Sequence, residues 1–231
     1  MALLPSKATP GAFVFAPSHH GFYDDLVTML VSLSSYMFSM HAWLSSNNAT
    51  PLDQRPREEL ISYIAPIRIP AFPLSLENHA ANKKMVFFPA EILMYIALDG
   101  WPQFLEYKLE AKQISNPDHR LVKEGNRRVL SRIVGASFTS YYSSSEATLK
   151  ARYGTTPNKW PEPIRFAWVI RNGFAHGGRL KISDPKLRPV VWKSWSFDNK
   201  NDGQSFLFET GMLGIGDIIS LMVEFDTYVF P

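Results

Sequence analysis

From Leu26 to Leu44 the sequence carries no Asp, Glu, Lys or Arg. An uncharged stretch of that length has to be buried, in a bilayer or in a protein core. Its own polar residues decide between the two. Thr28, Ser32, Ser34, Ser35, Ser39 and His41 dilute it below the hydropathy of a membrane span. Its apolar residues Leu26, Met29, Leu30, Leu33, Met37, Met40 and Leu44 share one helical stripe, and Ser32, Ser35 and Ser39 lie on another. The spacing predicts a core helix over 22–46, with Asp24 and Asp25 in its first turn, where negative charge suits the helix dipole. Residues 1–17 lack the apolar run of a signal peptide.

A core of this kind needs no covalent staple, and none is on offer. The 231 residues include no cysteine, which excludes disulfides, thiolate metal sites and cysteine nucleophiles and sits easily with a reducing cytosol. Hydrophobic residues make up 45% and charged residues 19%, which excludes a disordered chain. The length suits one domain over 1–231, with a helical core at about 22–180 and a hairpin and final helix over 188–231.

Glycine and proline punctuate the rest. Residues 47–76 read mainly as a Pro-rich loop with a short helix at 57–64, and 82–114 as two helices or one bent at Asp99–Pro102. A helix follows over 119–152, then a loop over 153–163. The next helix, 164–175, stops at Gly177-Gly178, since glycine tolerates a left-handed cap. Val, Trp and Phe predict hairpin strands at 189–197 and 204–209, joined by 198–203. A last helix runs over about 216–228. The fold class expected is mainly α, with a β-hairpin between the last two helices.

Net charge is +3, but it is spread unevenly: −3 over residues 1–107, +11 over 108–193 and −5 over 194–231. A basic middle between acidic ends is the pattern of a polyanion-binding surface. A run such as Arg120, Lys123, Arg127, Arg128, Arg132 reads equally as a solvated helix face. Phosphate loops, dinucleotide fingerprints, paired-histidine zinc helices and calcium loops are absent from the sequence. His19-His20 reads as surface loop, and His41 and His79 as lone structural or solvated side chains.

The segment Arg171-Asn172-Gly173-Phe174-Ala175-His176 differs, for it gathers an arginine, an amide and a histidine at the end of an apolar helix. Asn172 and His176, four apart, share a helix face, so the amide can orient the imidazole. Arg171 and His176 are separated by roughly 140° around the axis. They converge only at a frayed helix end or with help from a second subunit. This segment resembles the motif of the HEPN family, the higher-eukaryote-and-prokaryote nucleotide-binding domain: an arginine, four to six intervening residues beginning with a polar one, then a histidine. The resemblance is specific over 164–180 and loose over 20–231. It implies a helical bundle that dimerises so that two motifs face one another, and a metal-independent endoribonuclease of the kind found in toxin–antitoxin and antiviral defence systems. No cofactor, metal or membrane is implied, and a cognate antitoxin or regulator is an expected partner.

Histidine chemistry fits that implication. Imidazole can take the proton of a ribose 2′-OH or give one to the leaving 5′-oxygen. Arg171 can hold the phosphate bidentately. The product would carry a 2′,3′-cyclic phosphate, and DNA would not be cut. Arg171, Asn172 and His176 are the expected catalytic residues, and Arg127, Arg128, Arg165 and Arg179 the expected RNA contacts. Two features depart from the family pattern. Gly173 is expected to loosen the motif helix by up to about 1 kcal/mol relative to alanine. The aromatic hairpin with Trp192, Trp195, Phe206 and Phe208 reads first as a small sheet packed on the bundle, and second as a stacking platform for bases. Two rival readings remain: a non-catalytic module binding nucleic acid, a nucleotide or a protein, and an accidental motif in which Arg171 is a surface charge and His176 a helix-end cation.

Overall fold

The computed structural model describes residues 13–47, 73–89, 92–93, 96, 100–111, 124–182, 188–208 and 212–230, apart from the side chains of 40–47 and 124–127. The short helix expected at 57–64 lies outside these residues. In chain order the elements are β1 (Phe13–Phe15), α1 (Tyr23–Asn47), β2 (Leu74–Asn78), β3 (Lys83–Phe87), β4 (Leu105–Ala111), α2 (Glu124–Tyr153), α3 (Glu162–Ala175), β5 (Val190–Trp192), β6 (Trp195–Phe197) and α4 (Ile215–Val229).

The expectation of a mainly α, HEPN-like bundle is overturned: the protein is mixed α/β. Strands β1 to β4 form an antiparallel sheet in the order β1-β4-β3-β2. Most of it comes from residues 82–114, read above as helical. The strand signal was present in Leu105-Glu106-Tyr107-Lys108-Leu109, which alternates apolar and charged residues. Leu, Glu and Lys are also good helix formers, so propensity masked the period. The register aligns Phe13, Tyr107, Phe87 and Leu74 across all four strands. Tyr107 stacks on Phe13, Phe15 and Phe87 at centroid distances of 5.2, 4.7 and 5.5 Å.

The helices are closer to expectation. Leu26, Met29, Leu30 and Leu33 of α1 are buried, whereas Met37 is exposed. The serines on the other face need no partner in the core, and Ser34, which is buried, donates to the carbonyl of Leu30 at 2.6 Å. Among the described residues no helix is long and apolar enough to cross a membrane. Helix α2, 30 residues long, packs against α1, α3 and α4 and is the spine of the helical layer. The hydroxyl of Tyr141 on α2 donates to Asp226 on α4, and His20 Nδ1 lies 3.7 Å from the same carboxylate. His20 is therefore tied to the last helix, while its neighbour His19 is exposed.

The hairpin between α3 and α4 is tighter than expected. It turns at Lys193, which has φ of 52°, and pairs Val190 with Phe197. Of the expected second strand over 204–209, the described residues 204–208 do not pair with it. They make only isolated bridges, Arg179 with Ser205 and Leu207 with Leu213. Trp192, Trp195 and Phe206 are buried, and Phe166 of α3 lies 5.6 Å from Trp192 and 5.3 Å from Phe197. These aromatics are core.

Sheet and helices meet at Asp217, in the first turn of α4. Its fully buried carboxylate accepts the backbone N–H groups of His79 at 3.1 Å, Ala80 at 2.9 Å and Gly214 at 2.8 Å. Burial pushes this carboxyl above the usual aspartate range, against the pull of those three donors. Gly214 lets the turn close, because a Cβ there would stand 2.4 Å from the carbonyl oxygen of Glu77. Removing the carboxylate strands three donors, that of Gly214 in a buried bond and those of His79 and Ala80 in part-buried ones. Asp217→Ala is expected to lower the unfolding free energy by about 3 kcal/mol in urea denaturation. Asp24→Ala, which loses one exposed bond from Trp101, is expected to change it by less than about 0.5 kcal/mol.

Candidate functional site

Helices α2 and α3 are antiparallel neighbours, and their seam opens into a cleft of about 590 Å³. Gly135 makes the close approach possible, since a Cβ there would lie 2.6 Å from the Phe174 ring. At its C-terminus α3 ends in a paired-glycine cap. The N–H of Gly178 donates to Gly173 O at 2.9 Å and that of Gly177 to Phe174 O at 3.1 Å, with φ of 83° and 74° at the two glycines. A Cβ on Gly178 would also meet Ser131 Oγ at 2.8 Å. The stop read from Gly177-Gly178 thus rests on left-handed backbone at both glycines, and at Gly178 also on close approach to Ser131 across the seam.

Gly173 has a packing role beside its cost in helix propensity. A Cβ on it would stand 2.5 Å from the Phe206 ring and 3.2 Å from the carbonyl oxygen of Arg179. It is a contact glycine that lets the chain after α3 lie against the helix. The ring of Phe174 then packs edge-on to Phe206 at 5.0 Å and lies 5.8 Å from Phe138.

His176 caps α3 and is exposed, between Ala175 and Gly177, both of which line the cleft. Its backbone N–H is shared between Asn172 O and Gly173 O at 3.1 Å each. Arg171 lies farther back on the helix and is half-buried. Its Nη1 donates to Asn172 Oδ1 at 3.2 Å, and its buried Nε has no partner among the described residues. The side-chain oxygen of Asn172 therefore serves Arg171, and no hydrogen bond joins either residue to the His176 ring among the described residues. Across the seam lies Tyr142. Burial pushes its hydroxyl well above the usual phenol range, the Glu146 charge adds to this, and the Arg171 guanidinium opposes it.

Three arginines line the cleft: Arg128 and Arg132, four apart on α2, and Arg179 just beyond α3. All three are exposed, and Arg179 Nη1 donates to Gly203 O at 2.9 Å. No carboxylate is among the described residues that line it. Three arginines from the basic middle of the sequence thus share one concave surface. Of the expected RNA contacts, Arg128 and Arg179 line the cleft, whereas the Arg127 side chain lies outside the described residues. Arg132 was legible only as part of a solvated run. The signal that singles it out is the spacing Arg128, Arg132, Gly135, Thr139, one face of α2 that turns into the cleft.

Arg165 is not at the surface, so its expected role as an RNA contact is withdrawn. It is 1% exposed, with Nη1 donating to Glu162 Oε1 at 2.7 Å and Nη2 to the carbonyls of Arg188 at 2.7 Å and Pro189 at 3.3 Å. Helical spacing carried the warning, because Arg165 shares a face with Val169 and Gly173, both buried. Among the described residues no group of three or more His, Asp or Glu side chains is placed to hold a metal ion.

Comparison with known proteins finds no matching family model, no matching curated protein and no matching solved structure. Arg165→Ala would strip the carbonyls of Arg188 and Pro189 of their donor and leave Glu162 only the Val191 N–H, and is expected to cost about 3 kcal/mol of stability in urea denaturation. It should leave the salt concentration of elution from heparin unchanged. Arg132→Ala should do the reverse, eluting earlier with its melting temperature unaltered.

Proposed function

We propose that this protein is a metal-independent endoribonuclease. Arg171 and His176 carry the chemistry, and Arg128, Arg132 and Arg179 guide the RNA backbone. The observation that carries the reading is the place of His176 in the chain: an exposed residue between Ala175 and Gly177, which line a cleft with three arginines and no carboxylate among the described residues, although His176 and Arg171 do not themselves line it. The motif-level resemblance to HEPN ribonucleases supports it independently of the fold.

In the proposed reaction the His176 imidazole takes the 2′-OH proton. The 2′-oxygen attacks the adjacent phosphorus, and the 5′-oxygen leaves and takes up a proton. The products are a 2′,3′-cyclic phosphate and a 5′-hydroxyl. Arg171 holds the phosphate as charge grows on its oxygens. A second copy of the chain would bring a second imidazole to the same phosphate as the acid, so the working form is a homodimer with a composite site. The proposed setting is the cytoplasm, as part of a toxin–antitoxin or antiviral system, with a cognate antitoxin or regulator that covers the cleft.

A second reading is a non-catalytic module that binds RNA through the same cleft. It is favoured by the engagement of Arg171 with Asn172 and by the absence, among the described residues, of a bond from either to His176. Cleavage of end-labelled RNA in excess EDTA separates the two. The enzyme reading expects wild type to cut RNA and not DNA, leaving a cyclic phosphate. His176→Ala is expected to slow cutting by about 10²- to 10⁴-fold and Arg171→Ala by about 10²- to 10³-fold. RNA that wild type shifts on a gel but leaves intact would establish the module instead.

A further inference from the structure

The sequence offered four aromatics after α3 as a base-stacking platform, and three of them are core: Trp192, Trp195 and Phe206. Phe208 is different. It is half-buried and lines the cleft that holds Arg128, Arg132 and Arg179. Its backbone is also unusual, with φ of 65°, in the left-handed region that bulky residues rarely occupy. Such a conformation costs free energy and persists only where the surroundings enforce it. Here Phe208 N donates to Leu213 O at 3.1 Å and Leu213 N to Phe206 O at 3.0 Å. In an extended strand, residues 206 and 208 would point to the same side. The left-handed turn breaks that alternation. Phe206 goes into the core against Gly173, and Phe208 reaches the cleft wall.

A cleft that combines arginines with an aromatic ring matches both halves of a nucleotide, the phosphate and the base. Its volume of about 590 Å³ is within the range of small-ligand sites and leaves room for a base as well as its phosphate. A duplex offers phosphates at its surface and keeps its bases stacked inside, so an aromatic wall would gain nothing from it. A single strand can splay a base out and stack it. We infer that the cleft is a subsite for one unpaired nucleotide, with the base on Phe208 and the phosphate on Arg132 and Arg179, so that the substrate is single-stranded RNA. This inference rests on the RNA reading of the site but not on cleavage.

The test uses probes that the proposed chemistry cannot cut: a short 2′-O-methyl RNA single strand, its duplex, and an abasic strand of equal length. Binding is followed by fluorescence anisotropy. Wild type should bind the base-bearing strand tightest. Phe208→Leu, which keeps apolar bulk, should weaken that complex by about tenfold and barely change binding of the abasic strand. Phe208→Tyr, which keeps the ring, should bind like wild type. Arg132→Ala should weaken both strands alike. The inference is overturned if wild type binds the abasic strand or the duplex as tightly as the base-bearing strand, a comparison that needs no variant to fold. It is also overturned if Phe208→Leu affects base-bearing and abasic strands equally. A protein that passes these tests but never cuts RNA keeps the subsite and loses only the enzyme reading. One that cuts RNA but fails them loses only the subsite.

Discussion

Everything that surrounds the cleft depends on how closely α2 and α3 approach one another. The approach is set by missing side chains. Gly135 leaves room for the Phe174 ring, Gly178 for Ser131, and Gly173 for Phe206 and the returning chain. A methyl group at any of the three would meet an atom at under 3.0 Å, closer than packed atoms tolerate. Once the seam is closed, the arginines of α2 and Arg179 beyond α3 are brought to one surface. His176 is left exposed on the cap of α3, between the lining residues Ala175 and Gly177. The cleft thus follows from packing of the two helices, with Ser205, Leu207 and Phe208 of the segment before α4 completing its wall.

The sheet lies apart from the cleft and is joined to the helices through a different contact. Asp217 caps the turn between β2 and β3 and the start of α4 with one carboxylate, and Asn78 adds a bond to Ser220 at 2.7 Å. Helix α4 in turn packs on α2, tied by Tyr141 to Asp226 and by Arg152 Nη1 to the Tyr228 carbonyl at 2.6 Å. Polar contacts centred on the buried Asp217 therefore join the sheet to the helices, while the cleft-side seam is closed by glycines and rings. Loss of a partner in such a contact leaves donors stranded, so this junction is the more sensitive to single substitutions.

Four helices were legible because each has a long run with an apolar stripe or a clear stop. The stripe from Leu26 marked α1, and Gly177-Gly178 marked the end of α3. The sheet was not read. Its strands are five to seven residues long, apart from the three-residue edge strand β1, and their alternation competes with helix-forming Leu, Glu and Lys. Within the site, the motif residues and two of the cleft arginines could be picked out by type and by the local charge excess. Arg165 could not be told from them by charge, because a charge count ignores which face of the helix a residue occupies. Phe208 was grouped with Phe206, and only the left-handed backbone at 208 parts them.

The sequence by itself determined the local facts: where long helices run, where glycine must end one, that no cysteine chemistry is available, and that an arginine, an amide and a histidine share one helix end. These are properties of spacing and residue type within a few turns of chain. Tertiary structure decided which cations share a surface, which arginine is buried against Glu162, and which aromatic faces the cleft. Those outcomes depend on contacts between residues far apart in sequence, set by the antiparallel seam of α2 and α3. Periodicity along one segment carries no information about the face that another segment presents to it.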